Sequence, residues 1–63
     1  MIRYIKDRTG KVLGWFEDIG KKTYIHNYSG VMQGWYDHET NTTHDYRGTL
    51  IGWDNQLMTL LSN

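Results

Sequence analysis

His26 and His44 are the residues whose type and placement come nearest to a reactive site. Each stands four residues before a glycine, Gly30 and Gly48, and Lys6 holds the corresponding place before Gly10. Histidines at equivalent positions of a pseudo-symmetric ring can converge on its axis and offer a two-imidazole metal or anion site. A transition metal ordinarily takes a third protein ligand. The pattern supplies none, so no metal and no cofactor are expected, and two ordinary strand histidines placed alike by repetition account for it as well. His38 falls in a linker and reads as solvated.

Other catalytic groups are poorly placed for reaction. Serine occurs only at Ser29, inside a turn, and at Ser62, in a tail, without the setting of an activated nucleophile. Carboxylates sit mainly at turns and strand ends, where hydrogen bonds to backbone explain them. The glycines fall in turns and strands rather than before a helix, so no phosphate loop is read. An enzyme is therefore not expected.

Aromatic residues make the stronger candidate. Three tryptophans, five tyrosines and one phenylalanine stand in only 63 residues. Trp15, Trp35 and Trp53, with Tyr4, Tyr24, Tyr36, His26 and His44, could line a cage for a cationic, sugar or nucleotide ligand through cation–π and stacking contacts. Tyr28 and Tyr46 sit two residues before turn glycines and should be exposed at loop tips, where they would meet a partner or shield neighbouring strands.

These residues are positioned by a repeat. The phrase Gly-x-x-x-Gly-Trp begins at Gly10, Gly30 and Gly48, and a period of roughly twenty residues marks one supersecondary unit copied along the chain. Each phrase is entered through a tetrapeptide with Asp or Asn first and Gly fourth: Asp7–Gly10, Asn27–Gly30 and Asp45–Gly48. That pattern signals a type I turn closed by a left-handed glycine, as in hairpins with a glycine bulge. Incoming strands are expected at 2–6, 23–26 and 42–44, outgoing strands at 11–17, 31–37 and 49–54. Simple alternation along the outgoing strands puts Val12, Gly14 and Phe16 on one face and Leu13 and Trp15 on the other. The repeated strand glycine marks a sharp bend or a notch for a neighbouring hairpin's aromatic ring, and the tryptophans read as core or inter-hairpin wedges. After Trp53 the repeat ends. Asp54 and Asn55 can cap a short helix, with Leu57, Met58, Leu60 and Leu61 at helical spacing.

The expected architecture is all-β. Three hairpin repeats, at about 2–18, 23–38 and 42–54, form one shallow pseudo-symmetric barrel over 1–63, with the tail 55–63 as a short C-terminal helix. Absence of proline agrees with paired strands. No cysteine is present, which excludes disulfides and thiolate metal sites. Acidic and basic residues balance at seven each. The basic ones are scattered, so nucleic-acid binding is not expected. Neither a signal-peptide pattern nor a membrane span is read, and a polybasic patch for lipid is lacking, so a cytoplasmic location is expected.

The Asp-x-x-Gly turns, the Gly-x-x-x-Gly-Trp strands and the tail's Leu-rich end together resemble the small four-fold β-flower proteins of bacteria and phages. That resemblance runs from Tyr4 to Leu61. It implies hairpin petals around an apolar centre, and it implies no particular activity. A fourth copy of the phrase is lacking. The segment 29–35 also resembles the Gly-x-Met-x-x-Gly-Trp stretch of choline- and glucan-binding repeats, with one residue fewer, and that likeness implies aromatic boxes for quaternary ammonium or sugar.

Chains this small seldom draw more than about 3–5 kcal/mol from one core. A non-enzymatic binding or assembly module is therefore expected, such as a bacterial or phage accessory factor acting as a homo-oligomer or with a protein partner. Tyr28, Tyr46, Leu57, Met58, Leu60 and Leu61 are its candidate interface, and truncating 57–63 should abolish association without necessarily unfolding the hairpins. The alternative is a small-ligand receptor using the aromatic cage.

Overall fold

A computed structural model describes residues 1–61; Ser62 and the end of the expected tail lie outside the described residues. Six strands form a single antiparallel sheet in chain order: β1 (Ile2–Lys6), β2 (Val12–Ile19), β3 (Lys22–Asn27), β4 (Met32–Asp37), β5 (Thr42–Asp45) and β6 (Leu50–Trp53). The expected barrel is not formed. β1 and β6 are the two edges of an open sheet. The expected short C-terminal helix is a 3₁₀ segment over Leu57–Leu61.

The turns follow from their residue types. Gly10, Gly30 and Gly48 adopt φ of 88°, 85° and 87°, the left-handed region that costs a side chain dearly and glycine little. Each amide donates back to the carbonyl of the turn's first residue, Asp7, Asn27 or Asp45, at 2.9–3.0 Å. The side-chain Oδ1 of that first residue accepts two more backbone amides at 2.8–3.1 Å, from Thr9 and Lys11, Ser29 and Val31, or Arg47 and Thr49. Three turns thus share one wiring.

These bonds tie the turns to pH. The Thr9 hydroxyl and amide hold the Asp7 carboxyl below its ordinary range, and the Thr49 amide, then Arg47, does so for Asp45. The Thr23 hydroxyl, followed by Arg3, lowers Asp18. A carboxyl depressed in the fold stabilises it above the unfolded range, and the contribution is lost as pH falls through the lowered folded values. Stability is therefore expected to decline below about pH 4, the ordinary aspartate range. Asp7→Asn and Asp45→Asn keep the Oδ1 acceptor, as Asn27 does natively. Urea titrations from neutral to acid pH should give a shallower slope for that pair than for the parent, and equal slopes would refute this account.

Register departs from simple alternation. Lys6 pairs with Val12 but Ile5 pairs with Gly14, so Leu13 is an extra residue; Gln33 and Ile51 are extra in the same way on β4 and β6. A bulge beyond the turn shifts parity by one. Val12, Met32 and Leu50 therefore lie opposite Lys6, His26 and His44, on the tryptophan face rather than with the glycines.

The opposite face carries the core. Ile25 and Leu57 are its fully buried apolar residues, with Thr23 and Thr43 buried beside them. Thr43 ties the tail down: its hydroxyl donates to the Asp54 carbonyl at 2.7 Å and accepts the Gln56 amide at 3.0 Å. Asn55 Oδ1 accepts the Leu57 amide at 3.0 Å, which makes Asn55 the cap of the 3₁₀ helix.

Glycines 14 and 34 sit where strands approach unusually closely. A Cβ on Gly14 would lie 2.1 Å from the His26 carbonyl oxygen, and one on Gly34 would lie 2.3 Å from that of His44 and 2.6 Å from Leu60 Cδ1. The notch admits the next strand's backbone and, at Gly34, a leucine methyl. It does not admit an aromatic ring.

Candidate functional site

Two copies of one aromatic arrangement lie on the tryptophan face. Cross-strand pairing sets Tyr4, Trp15 and His26 side by side on β1, β2 and β3, and Tyr24, Trp35 and His44 on β3, β4 and β5. Trp15 stacks on His26 with ring centroids 5.4 Å apart and planes 15° from parallel, and Trp35 stacks on His44 at 5.4 Å and 21°. Tyr4 meets Trp15 edge-on at 6.1 Å, while Tyr24 lies tilted against Trp35 at 6.4 Å. Aromatic pairs of this kind contribute about 0.5–1.5 kcal/mol beyond their buried area. Each indole also reaches the next turn: its Cη2 lies 3.6 Å from a Cβ position at Gly30 (Trp15) or 3.9 Å from one at Gly48 (Trp35). These two tryptophans bridge successive hairpins, in agreement with the wedge reading.

The histidines do not converge. They stand on strands separated by β4, roughly 10 Å apart at ordinary interstrand spacing, and each is stacked on its own tryptophan. In both, Nδ1 is buried without a hydrogen-bond partner among the described residues. A tautomer with hydrogen on Nε2 leaves Nδ1 as an unpaired acceptor, a smaller cost than an unpaired N–H donor. Among the described residues no cluster of three or more histidine or carboxylate groups could hold a metal ion.

The remaining predicted residues scatter. Trp53, on edge strand β6, pairs with Thr42 and stays 63% exposed. Tyr36 points to the opposite face, where its ring meets His38 edge-on at 4.7 Å and its hydroxyl donates to Asn41 Oδ1. Tyr28 and Tyr46 are exposed at the turn tips, as expected. Of the tail residues named as an interface, Leu57 is wholly buried within the chain and so is core. Leu60 and Leu61 are half-buried, and Met58 alone is exposed.

One polar network escaped the sequence reading. Arg3 grips Asp18 through Nε and Nη2 at 3.1 and 3.0 Å, the buried Thr23 hydroxyl donates to Asp18 Oδ1 at 2.8 Å, and His38 Nε2 lies 2.7 Å from the same hydroxyl. With its proton directed at Asp18, the Thr23 oxygen accepts from His38 Nε2–H. That is the reverse of a nucleophile handing its proton to a histidine base, so the network fastens the β2–β3 hairpin to the β4–β5 loop. His38 is thus engaged rather than merely solvated. A groove of about 330 Å³ is lined in part by Leu13, Tyr28, Gln33, Leu60 and Leu61, and by none of the stacked tryptophans or histidines.

No helix among the described residues is long and apolar enough to cross a membrane. No protein-family model matches the chain, and no curated protein or solved structure matches it.

Proposed function

We infer that this protein is a non-enzymatic assembly module that associates with copies of itself. The carrying observation is the imbalance between its core and its surface. Ile25 and Leu57 are its fully buried apolar side chains, while Trp53, Tyr4, Tyr28 and Tyr46 remain 61–73% exposed. A chain of this size lacks apolar area to spare, and aromatic side chains are enriched where protein surfaces meet. The two edge strands, β1 and β6, have a strand neighbour on one side only among the described residues, and such edges favour further strand pairing. The likeness of the hairpins to β-flower petals fits the same reading, with a ring completed between chains rather than within one.

The alternative, a small-ligand receptor, has less support. His26 and His44 already occupy a face of Trp15 and Trp35, which leaves Trp53 as the tryptophan with open faces.

Light scattering across a range of concentrations tests the assembly reading. The expected mass is a multiple of the 7.5 kDa chain. A folded species at the chain mass throughout would remove the reading.

A further inference from the structure

The last tryptophan and the last strand glycine lack what their counterparts have. Gly14 and Gly34 accommodate the backbone of the next strand, and Trp15 and Trp35 stack on its histidine and reach its turn glycine. β6 repeats both residues with no strand beyond it. Beyond its chain neighbours, a Cβ on Gly52 would meet nothing nearer than Gln56 Cγ at 3.9 Å, so no contact among the described residues requires glycine there, although an interior glycine weakens a strand. The far edge holds the complement. β1 carries Lys6 at the position of His26 and His44, and beyond its chain neighbours Gly10 has no described atom within 4 Å of its Cβ position, whereas Gly30 and Gly48 each have an indole.

We propose that β6 of one chain receives β1 of a second copy, head to tail and antiparallel, so that Trp53 takes the partner's Lys6 on its ring and Gly52 takes the partner's backbone in its notch. The proposal rests on the self-association reading and specifies its interface. Strand sense is correct, because in an antiparallel meander the strand after β6 runs as β1, β3 and β5 do. Register follows from the two internal junctions, where Trp15 faces His26 and Gly14 faces Asn27, and Trp35 faces His44 and Gly34 faces Asp45. By the same rule Trp53 faces the partner's Lys6 and Gly52 faces the partner's Asp7. The partner's Gly10 then lies under the Trp53 indole, and a cation–π contact replaces the imidazole stack. Gln56 Nε2, which donates to the Trp53 carbonyl at 3.1 Å in the single chain, yields it to the incoming strand. The two surfaces differ, so the interface is heterologous and closes as a ring or continues as a filament according to the rotation between copies.

Four proteins decide the matter by sedimentation and light scattering, with far-UV circular dichroism reporting the fold: the parent, G52A, W53A and K6E. The parent is expected to be oligomeric, and each variant a monomer with the parent's dichroism. An equimolar mixture of K6E and W53A should form a dimer and nothing larger, since one supplies an intact β6 and the other an intact β1. If W53A or K6E loses native dichroism, G52A decides alone, because its added methyl has room within the chain. Variants as oligomeric as the parent, or a mixture that stays monomeric, would overturn this interface and leave self-association standing. A monomeric parent would overturn both.

Discussion

Replacing Gly34 with alanine is expected to remove most of the protein's folding stability. The new Cβ would lie 2.3 Å from the His44 carbonyl oxygen and 3.1 Å from the Asp45 Cα. Backbone cannot swing aside as a flexible side chain can, so β4 and β5 would have to separate. Overpacking a core commonly costs about 1–3 kcal/mol and sometimes more, against roughly 3–5 kcal/mol available to so small a domain. Gly14→Ala should behave alike, because its Cβ meets the His26 carbonyl oxygen at 2.1 Å. Gly52→Ala isolates the clash within one chain: its Cβ finds ordinary contact, and at dilutions where parent and variant are both monomeric the fold should change by less than about 1 kcal/mol. Thermal and urea denaturation followed by tryptophan fluorescence would rank the three. Equal stability of G34A and G52A would show that the strands do not approach as described.

Leu57→Ala is the second large effect. Leu57 is wholly buried against the sheet, and truncating a buried leucine costs about 2–5 kcal/mol. With only Ile25 as another fully buried apolar side chain among the described residues, that loss is comparable to the whole stability of the fold. Met58→Ala, one residue along at an exposed position, should cost about 0.5 kcal/mol or less. Removing residues 57–63 should therefore unfold the sheet as well as remove the tail as an interface. A truncated chain that keeps native near-UV dichroism would refute the role given to Leu57.

Residue types and short spacings made much of this fold legible. An Asp or Asn three residues before a glycine specifies its turn locally, through one side chain and one left-handed backbone position, and all three turns formed as read. The incoming strands were close to their observed limits for the same reason. The faces were misread because the bulges at Leu13, Gln33 and Ile51 have no residue type that announces them, and one extra residue reverses every later side chain on a strand. The Arg3–Asp18–Thr23–His38 network was missed because its members lie on separate elements and meet only after β1, β2, β3 and the β4–β5 loop are in place.

The candidate site divides along the same line. By itself the sequence determined three hairpins and the repeated places of Trp15, Trp35 and Trp53, since turn chemistry and strand propensity act over a few neighbouring residues. Tertiary structure alone decided that these places are unequal. A stacking partner and a backbone-filled notch come from the next strand over, and only Trp15 with Gly14 and Trp35 with Gly34 have one. The open edge of β6 leaves Trp53 and Gly52 without it.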